Sequence, residues 1–281
     1  MALPDAVPLQ NTSAVFAANR AVGRLEIVVA RHGEQSRRSR VHEQGCLRAR
    51  FPHPQAEALE TMIVNTAGGI AGGDRHDIDV VLDDGVSLTV STAAAEKIYR
   101  SLGPDARIAV KLGVGAGATL AWLPQETILF DRAGLARDIE VDLAERAGSL
   151  VLAEAVVFGR AAMGERVEAG RLFDRWRVRR AGRLIFAETV KLNCTIARTL
   201  GRSAVAAGAT AVATVLIVPG DEAVVERVRA LGTFAGEVGI SSWNGFALVR
   251  LCARDGAALR CDLIAVLTAV RQIALPRLWL N

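Results

Sequence analysis

The strongest constraint on the fold is a pattern that recurs three times in the middle of the chain. Ile78-x-Val80-x-Leu82 is followed by a glycine turn and Leu88-x-Val90. Ile108-x-Val110-x-Leu112 is followed by glycine-rich residues and Leu120-x-Trp122. Ile139-x-Val141-x-Leu143 is followed by Ala147-Gly148 and Leu150-x-Leu152. The first anchors lie 30 and 31 residues apart. Strict alternation of apolar residues marks half-buried strands, so each copy reads as strand, turn, strand. A unit this small cannot bury its apolar face alone, and stacked copies would share one core. The expectation is a mainly β chain of stacked sheets in a solenoid or β-helix-like arrangement. Three ordinary hairpins in a sandwich or barrel are the other reading of the same pattern.

The flanks fit a β-rich class with a few α-helices in the C-terminal part. Residues 24–29 alternate, with Leu25, Ile27 and Val29 on one face. Residues 31–40 are polar and basic and read as a loop, and residues 1–20 as a loose leader. Residues 173–178 and 183–188 read as a hairpin turning at Ala181-Gly182. On its first strand Arg171, Arg175, Arg177 and Arg179 share one face, with Trp176 and Val178 on the other. Residues 211–218 and 247–253 read as strands, each followed by a helix. Asp221 is placed to cap the first helix, whose buried stripe would be Val224, Val225, Val228 and Leu231. The second helix is expected over 258–273, ending before Pro276. The whole, residues 1–281, reads as a single domain.

Composition excludes several classes. A 281-residue chain with 51% hydrophobic and 23% charged residues buries a large core and is not disordered. A net charge of +4 is too mild to imply nucleic acid. The arginines concentrate at Arg31, Arg37, Arg38 and Arg40 and again between Arg171 and Arg183, where each cluster is either a solvated face or a partner contact. Four cysteines without C-x-x-C spacing, and a start lacking a basic then apolar leader, point to a reducing, cytoplasmic setting. The longest apolar run, 204–218, is too short to span a bilayer. No nucleotide loop, G-x-S-x-G, H-E-x-x-H or Cys/His zinc spacing is present. Gly113-Val-Gly-Ala-Gly117 reads as a turn, and His32, His42, His53 and His76 are scattered.

Several segments are too particular to be plain loops. NTAGGIAGGD (65–74) carries the pairs Gly68-Gly69 and Gly72-Gly73, which permit positive φ and close backbone approach. STAAAEKIYRS (91–101) carries Lys97, Tyr99 and Arg100. LPQETILFDRA (123–133) and EAVVFGRAAMGE (154–165) close the second and third copies, so functional groups would line one edge of a stack.

These four segments, the hairpin RLFDRWRVRRAGRLIFAE and the terminal LPRLWLN resemble, in order, the UreD/UreH urease accessory proteins. The resemblance covers roughly residues 65–281. Many relatives carry Gln after the Thr of the STAAAEK segment, where this chain has Thr92-Ala93. The resemblance implies stacked β-sheets in a solenoid-like arrangement and a scaffold rather than an enzyme. It implies binding to apo-urease (UreABC) and to UreF, through which the GTPase UreG is recruited. No cofactor is held permanently; nickel is in transit, along an internal route, to the urease active site.

A transit route needs donors that hold a divalent ion weakly, and carboxylates suit this better than a His/Cys cage. Asp74, Glu154, Glu165 and Glu188 are the candidates, Asp74 and Glu188 foremost. Candidate partner contacts are the arginine face Arg171, Arg175, Arg177 and Arg179, and the tail residues Leu275, Leu278 and Trp279, which otherwise pack on the chain's own core. The alternative function is a β-helix carbohydrate-active enzyme, a lyase or glycosidase using paired carboxylates. One Tyr and four Trp are few for a sugar-stacking groove.

Overall fold

The computed structural model describes residues 19–52, 59–271 and 273–280. Residues 1–18, most of the expected leader, and His53 lie outside the described residues. The described chain is mainly β, with two sheets and three α-helices.

The repeat alternates between the sheets. The first strands of its copies are β5 (Arg75–Leu82), β8 (Ala106–Val114) and β11 (Gly134–Leu143). They lie side by side and parallel in a seven-stranded sheet. The second strands are β6 (Ser87–Thr92), β9 (Thr119–Leu123) and β12 (Ser149–Phe158), likewise parallel, in a ten-stranded sheet. In this second set the sequence alignment is the structural register, with Leu88 beside Leu120 and Leu120 beside Leu150. In the first set it slips by two. Ile78 and Ile139 both face Val110, while Ile108 lies beside His76 and Arg137. A slip of two keeps every side chain on its own face, so alternation alone does not detect it.

The segments that close the copies also stack. β7 (Glu96–Ile98) and β10 (Thr127–Leu129) are parallel neighbours, and β10 is parallel to the end of β12, with Glu96, Thr127 and Val156 in line. Tyr99 meets Phe130 edge to face at 5.2 Å, and Arg160 lies over the same Phe130 ring at 4.1 Å.

Hairpins complete the sheets. β1 (Val22–His32) pairs with β5 and with the edge strand β2 (Gln35–Gly45), so residues 31–40 are not the expected loop. β2 is exposed along most of its length and has no buried apolar set to reveal it. Its backbone bonds to β1 hold it instead. β3 (Leu47–Arg50) and β4 (Leu59–Asn65) end the ten-stranded sheet on that side. At the other side β13 (Arg171–Arg180) and β14 (Arg183–Asn193) form the expected hairpin, and Ala181 and Gly182 at its turn both have positive φ. β14 runs on past Glu188, so that residue lies mid-strand. β15 (Ala211–Val218), β17 (Phe246–Ala253) and β16 (Glu237–Trp243) extend the other sheet.

The two sheets face each other across a core that includes Leu25, Val80, Leu112, Leu120, Val141, Leu150, Trp176 and Phe246. The ten-stranded sheet is covered on its outer face too, by α2 (Glu222–Arg229) and α3 (Gly256–Val270), against Ala153, Val215 and Val249. Burial on both faces explains why β12 and β15 read as near-continuous apolar runs. Asp221 caps α2 by accepting from the Val224 N–H, as expected, and Asp255 caps α3 in the same way. α2 stops at Arg229, leaving Leu231 outside the buried stripe and 38% exposed. α3 begins and ends before the expected 258–273. A third short helix, α1 (Ile196–Leu200), packs on the end of the sandwich with Phe158 and Leu172.

Candidate functional site

The local rule that built the strands also points into the site. On β11 the inward set is Leu135, Arg137, Ile139, Val141 and Leu143; on β13 it is Leu172, Asp174, Trp176 and Val178. A guanidinium and a carboxylate therefore stand in phase with core residues, directly beside each other on parallel strands. From the opposite sheet β12 brings Glu154, 6% exposed, to the same point.

Arg137 lies between the two acids. Its Nε donates to Asp174 Oδ1 (3.1 Å), its Nη2 to Asp174 Oδ2, and its Nη1 to Glu154 Oε2 and to Thr127 Oγ1 (3.3 Å). An indole N–H also bonds each acid. Trp122 Nε1 donates to Glu154 Oε1 (2.9 Å), and Trp176 Nε1 donates to Asp174 Oδ1 (3.1 Å). Burial alone would lower the Arg137 pKa, but Asp174 and Glu154 outweigh it and keep the guanidinium charged. Burial raises Glu154 above the usual carboxylate range, against the pull of Arg137, because one guanidinium does not balance two buried acids.

These three side chains border a cavity of about 570 Å³ between the sheets, lined further along by Glu188, Val190, Val238 and Arg250. Glu188 is opposite Trp176 on the hairpin and accepts at Oε1 from Arg250 Nη1 (2.7 Å). Its Oε2 is buried and has no donor.

Of the four candidate carboxylates, the structure thus brings Glu154 and Glu188 into one cavity. Asp74 and Glu165 lie elsewhere. Asp74 is buried, accepting from the Ala21 N–H (2.8 Å) and the Ala71 N–H (2.7 Å), and so ties β1 to the glycine-rich turn before β5. Glu165 is paired with Arg160 at the surface, which lowers its carboxyl pKa. The glycine pairs of that turn have divided duties. Gly68 and Gly73 have φ of 80° and 89°. A Cβ on Gly69 would lie 2.5 Å from the Tyr99 ring, and one on Gly72 would strike Ser101 Oγ. Lys97 and Arg100 are exposed beside Tyr99.

The arginine face exists as read, outward from β13, but it lies against acids. Arg171 pairs with Asp105 (2.6 Å) and Arg175 with Asp138, while Arg177 and Arg179 stand beside Glu140 and Asp142 of β11. In the tail Leu275 and Trp279 are buried, Leu278 half-buried. Trp279 Nε1 donates to the Leu123 carbonyl (3.0 Å), and Arg260 donates to the carbonyls of Leu278 and Trp279 (3.0 Å each). Sequence reasoning missed Arg137, Asp174 and the two tryptophans as a set. Among the described residues no three His, Cys, Asp or Glu side chains are grouped to hold a metal ion.

The match to known proteins spans nearly the whole chain. The family model described as UreD urease accessory protein matches residues 21–280. This chain belongs to the UreD family of urease accessory proteins. A protein of Rhodopseudomonas palustris (strain BisB18) named urease accessory protein UreD is 58% identical over 272 residues, 96% of this chain and 98% of its own. One of the same name from Bradyrhizobium diazoefficiens is 57% identical over 274 residues, 97% and 99% of the two chains. UreD membership places the chain among accessory proteins of urease rather than among catalysts, and the carbohydrate-active alternative falls. In this UreD-family chain no described helix is long and apolar enough to cross a membrane.

Proposed function

We propose that this chain is a cytoplasmic scaffold through which nickel passes to apo-urease (UreABC), in a complex that includes UreF and the GTPase UreG. In this reading residues 1–281 act as one UreD-type unit, and the alternating strands form a short β-solenoid. The parallel register of β5, β8 and β11 and of β6, β9 and β12 supports that arrangement. Nickel is cargo here, not a resident cofactor.

The observation that carries the proposal is the cavity between the sheets, open to the surface at Val190 and Arg250, with Glu154, Asp174 and Glu188 on its wall. A buried carboxylate oxygen without a donor, Glu188 Oε2, calls for a cation or a hydrogen-bond donor. Oxygen donors bind a borderline metal less tightly than thiolate or imidazole, which suits passage rather than storage. Asp74, its oxygens held by backbone N–H groups, belongs to the frame around the route, and Glu165 to its outer border. The face of Arg171, Arg175, Arg177 and Arg179 remains a proposed docking region; in the tail Leu275 and Trp279 pack on the chain's own core, which leaves the half-buried Leu278 as the contact proposed there.

The test is Glu188→Gln, which keeps size and one acceptor but removes the charge. Urease activation in cells producing the variant should drop severalfold, while urease and accessory proteins are still captured with the tagged chain. Full activation would remove the cavity from the route.

A further inference from the structure

We infer that Arg137 is a built-in stand-in for the travelling cation: it holds the two carboxylate oxygens that a divalent ion would take, and so keeps the site from retaining metal. The inference rests on the passage proposed above and assigns its control to one residue.

The oxygens differ in their donors. Glu154 Oε1 receives the Trp122 indole N–H, and Asp174 Oδ1 receives the Trp176 indole N–H as well as Arg137 Nε. Glu154 Oε2 and Asp174 Oδ2 receive only the Nη groups of Arg137. An indole N–H donates and cannot ligate a metal, so the tryptophans fix the acids in place whether or not the arginine is there. The two oxygens left to Arg137 are the two that an incoming ion can reach without disturbing that frame.

Charge makes the choice exclusive. Two carboxylates balance one divalent ion; with the guanidinium still between them the buried group would carry a surplus positive charge in a poorly polarisable interior. Metal and arginine therefore exchange rather than share. Arg137 lines the same cavity as Glu188, whose Oε2 is the one buried side-chain acceptor without a donor among the described residues. That oxygen gives the displaced guanidinium somewhere to go. When Arg137 returns, it expels the ion.

The test uses the purified full-length chain and Ni²⁺ alone, read by equilibrium dialysis with metal analysis and by thermal melting with and without the ion. Arg137→Gln should bind close to one Ni²⁺ per chain at least tenfold more tightly than wild type, with a melting temperature that rises when metal is added. Adding Glu154→Gln should abolish the gain. No gain in Arg137→Gln, or a gain that survives Glu154→Gln, overturns the inference. If Arg137→Gln does not fold with or without nickel, Arg137→Lys decides. Its ammonium cannot bridge both acids as a fork does, so its affinity should exceed wild type severalfold, and equality with wild type overturns the idea. Failure here while Glu188→Gln still lowers activation removes only the role of Arg137. Full activation by Glu188→Gln removes the passage itself.

Discussion

Glu154 and Asp174 reach from opposite sheets to one shared guanidinium, so a single buried arginine joins the two layers. Removing Asp174 leaves two guanidinium N–H donors and an indole N–H without acceptors in the core. Asp174→Ala should cost about 3–5 kcal/mol in urea-denaturation experiments. Replacing Arg137, Glu154 and Asp174 together by Met, Leu and Leu should cost less than that single change: both indole N–H groups lose their acceptors, but no guanidinium is left buried with unmet donors. A triple variant less stable than Asp174→Ala would contradict this account.

His76 carries the pH dependence whose sign is clearest. It is 3% exposed, its Nε2 lies 3.3 Å from Cys46 Sγ, and burial lowers its pKa below the usual 6.5 despite Asp74 and Asp77. The folded state therefore keeps the ring neutral, while the unfolded chain takes up a proton as the pH falls through about 6.5. Its contribution is present above that pH and lost below it. Denaturation midpoints of wild type should fall more steeply between about pH 7.5 and 5.5 than those of His76→Gln. Parallel slopes for the two proteins would show that another group sets the acid limit.

The tail makes a stability prediction that separates packing from docking. Trp279 is 1% exposed, bonded to the Leu123 carbonyl, and 5.1 Å beneath the Arg260 guanidinium. Trp279→Ala should cost about 3–5 kcal/mol, read as a lower denaturation midpoint of the isolated chain. Trp279→Phe keeps the ring but loses the hydrogen bond and should cost about 1 kcal/mol, with a smaller loss of partner capture. Unchanged stability in Trp279→Ala would mean the ring matters only to a partner.

Much of the frame was legible in the residues, because the second strands of the repeat align in register and Asp221 sits where a cap must. What alternation could not say was which rows meet, since a slip of two preserves the pattern, as Ile108 shows. The edge strand β2 was invisible because neither face buries an apolar set. Within the site, Glu154 and Glu188 came forward through the family resemblance. Arg137, Asp174 and His76 had a plainer signal: each replaces an apolar residue in the inward phase of its strand. A charge in that phase must find a partner inside. Which partner depends on the opposite sheet, and no local pattern contains that.

The exposed arginines of β2 take on meaning from where that strand lies. A sheet of side-by-side rungs must end somewhere, and its last rung offers unpaired backbone groups to any other chain. On one rim those groups are flanked by Arg37, Arg38 and Arg40, all exposed; on the other, β14 presents Arg183 and Lys191. A second copy approaching rim to rim brings like charges together. These cations thus oppose edge-to-edge pairing of two copies along the seven-stranded sheet.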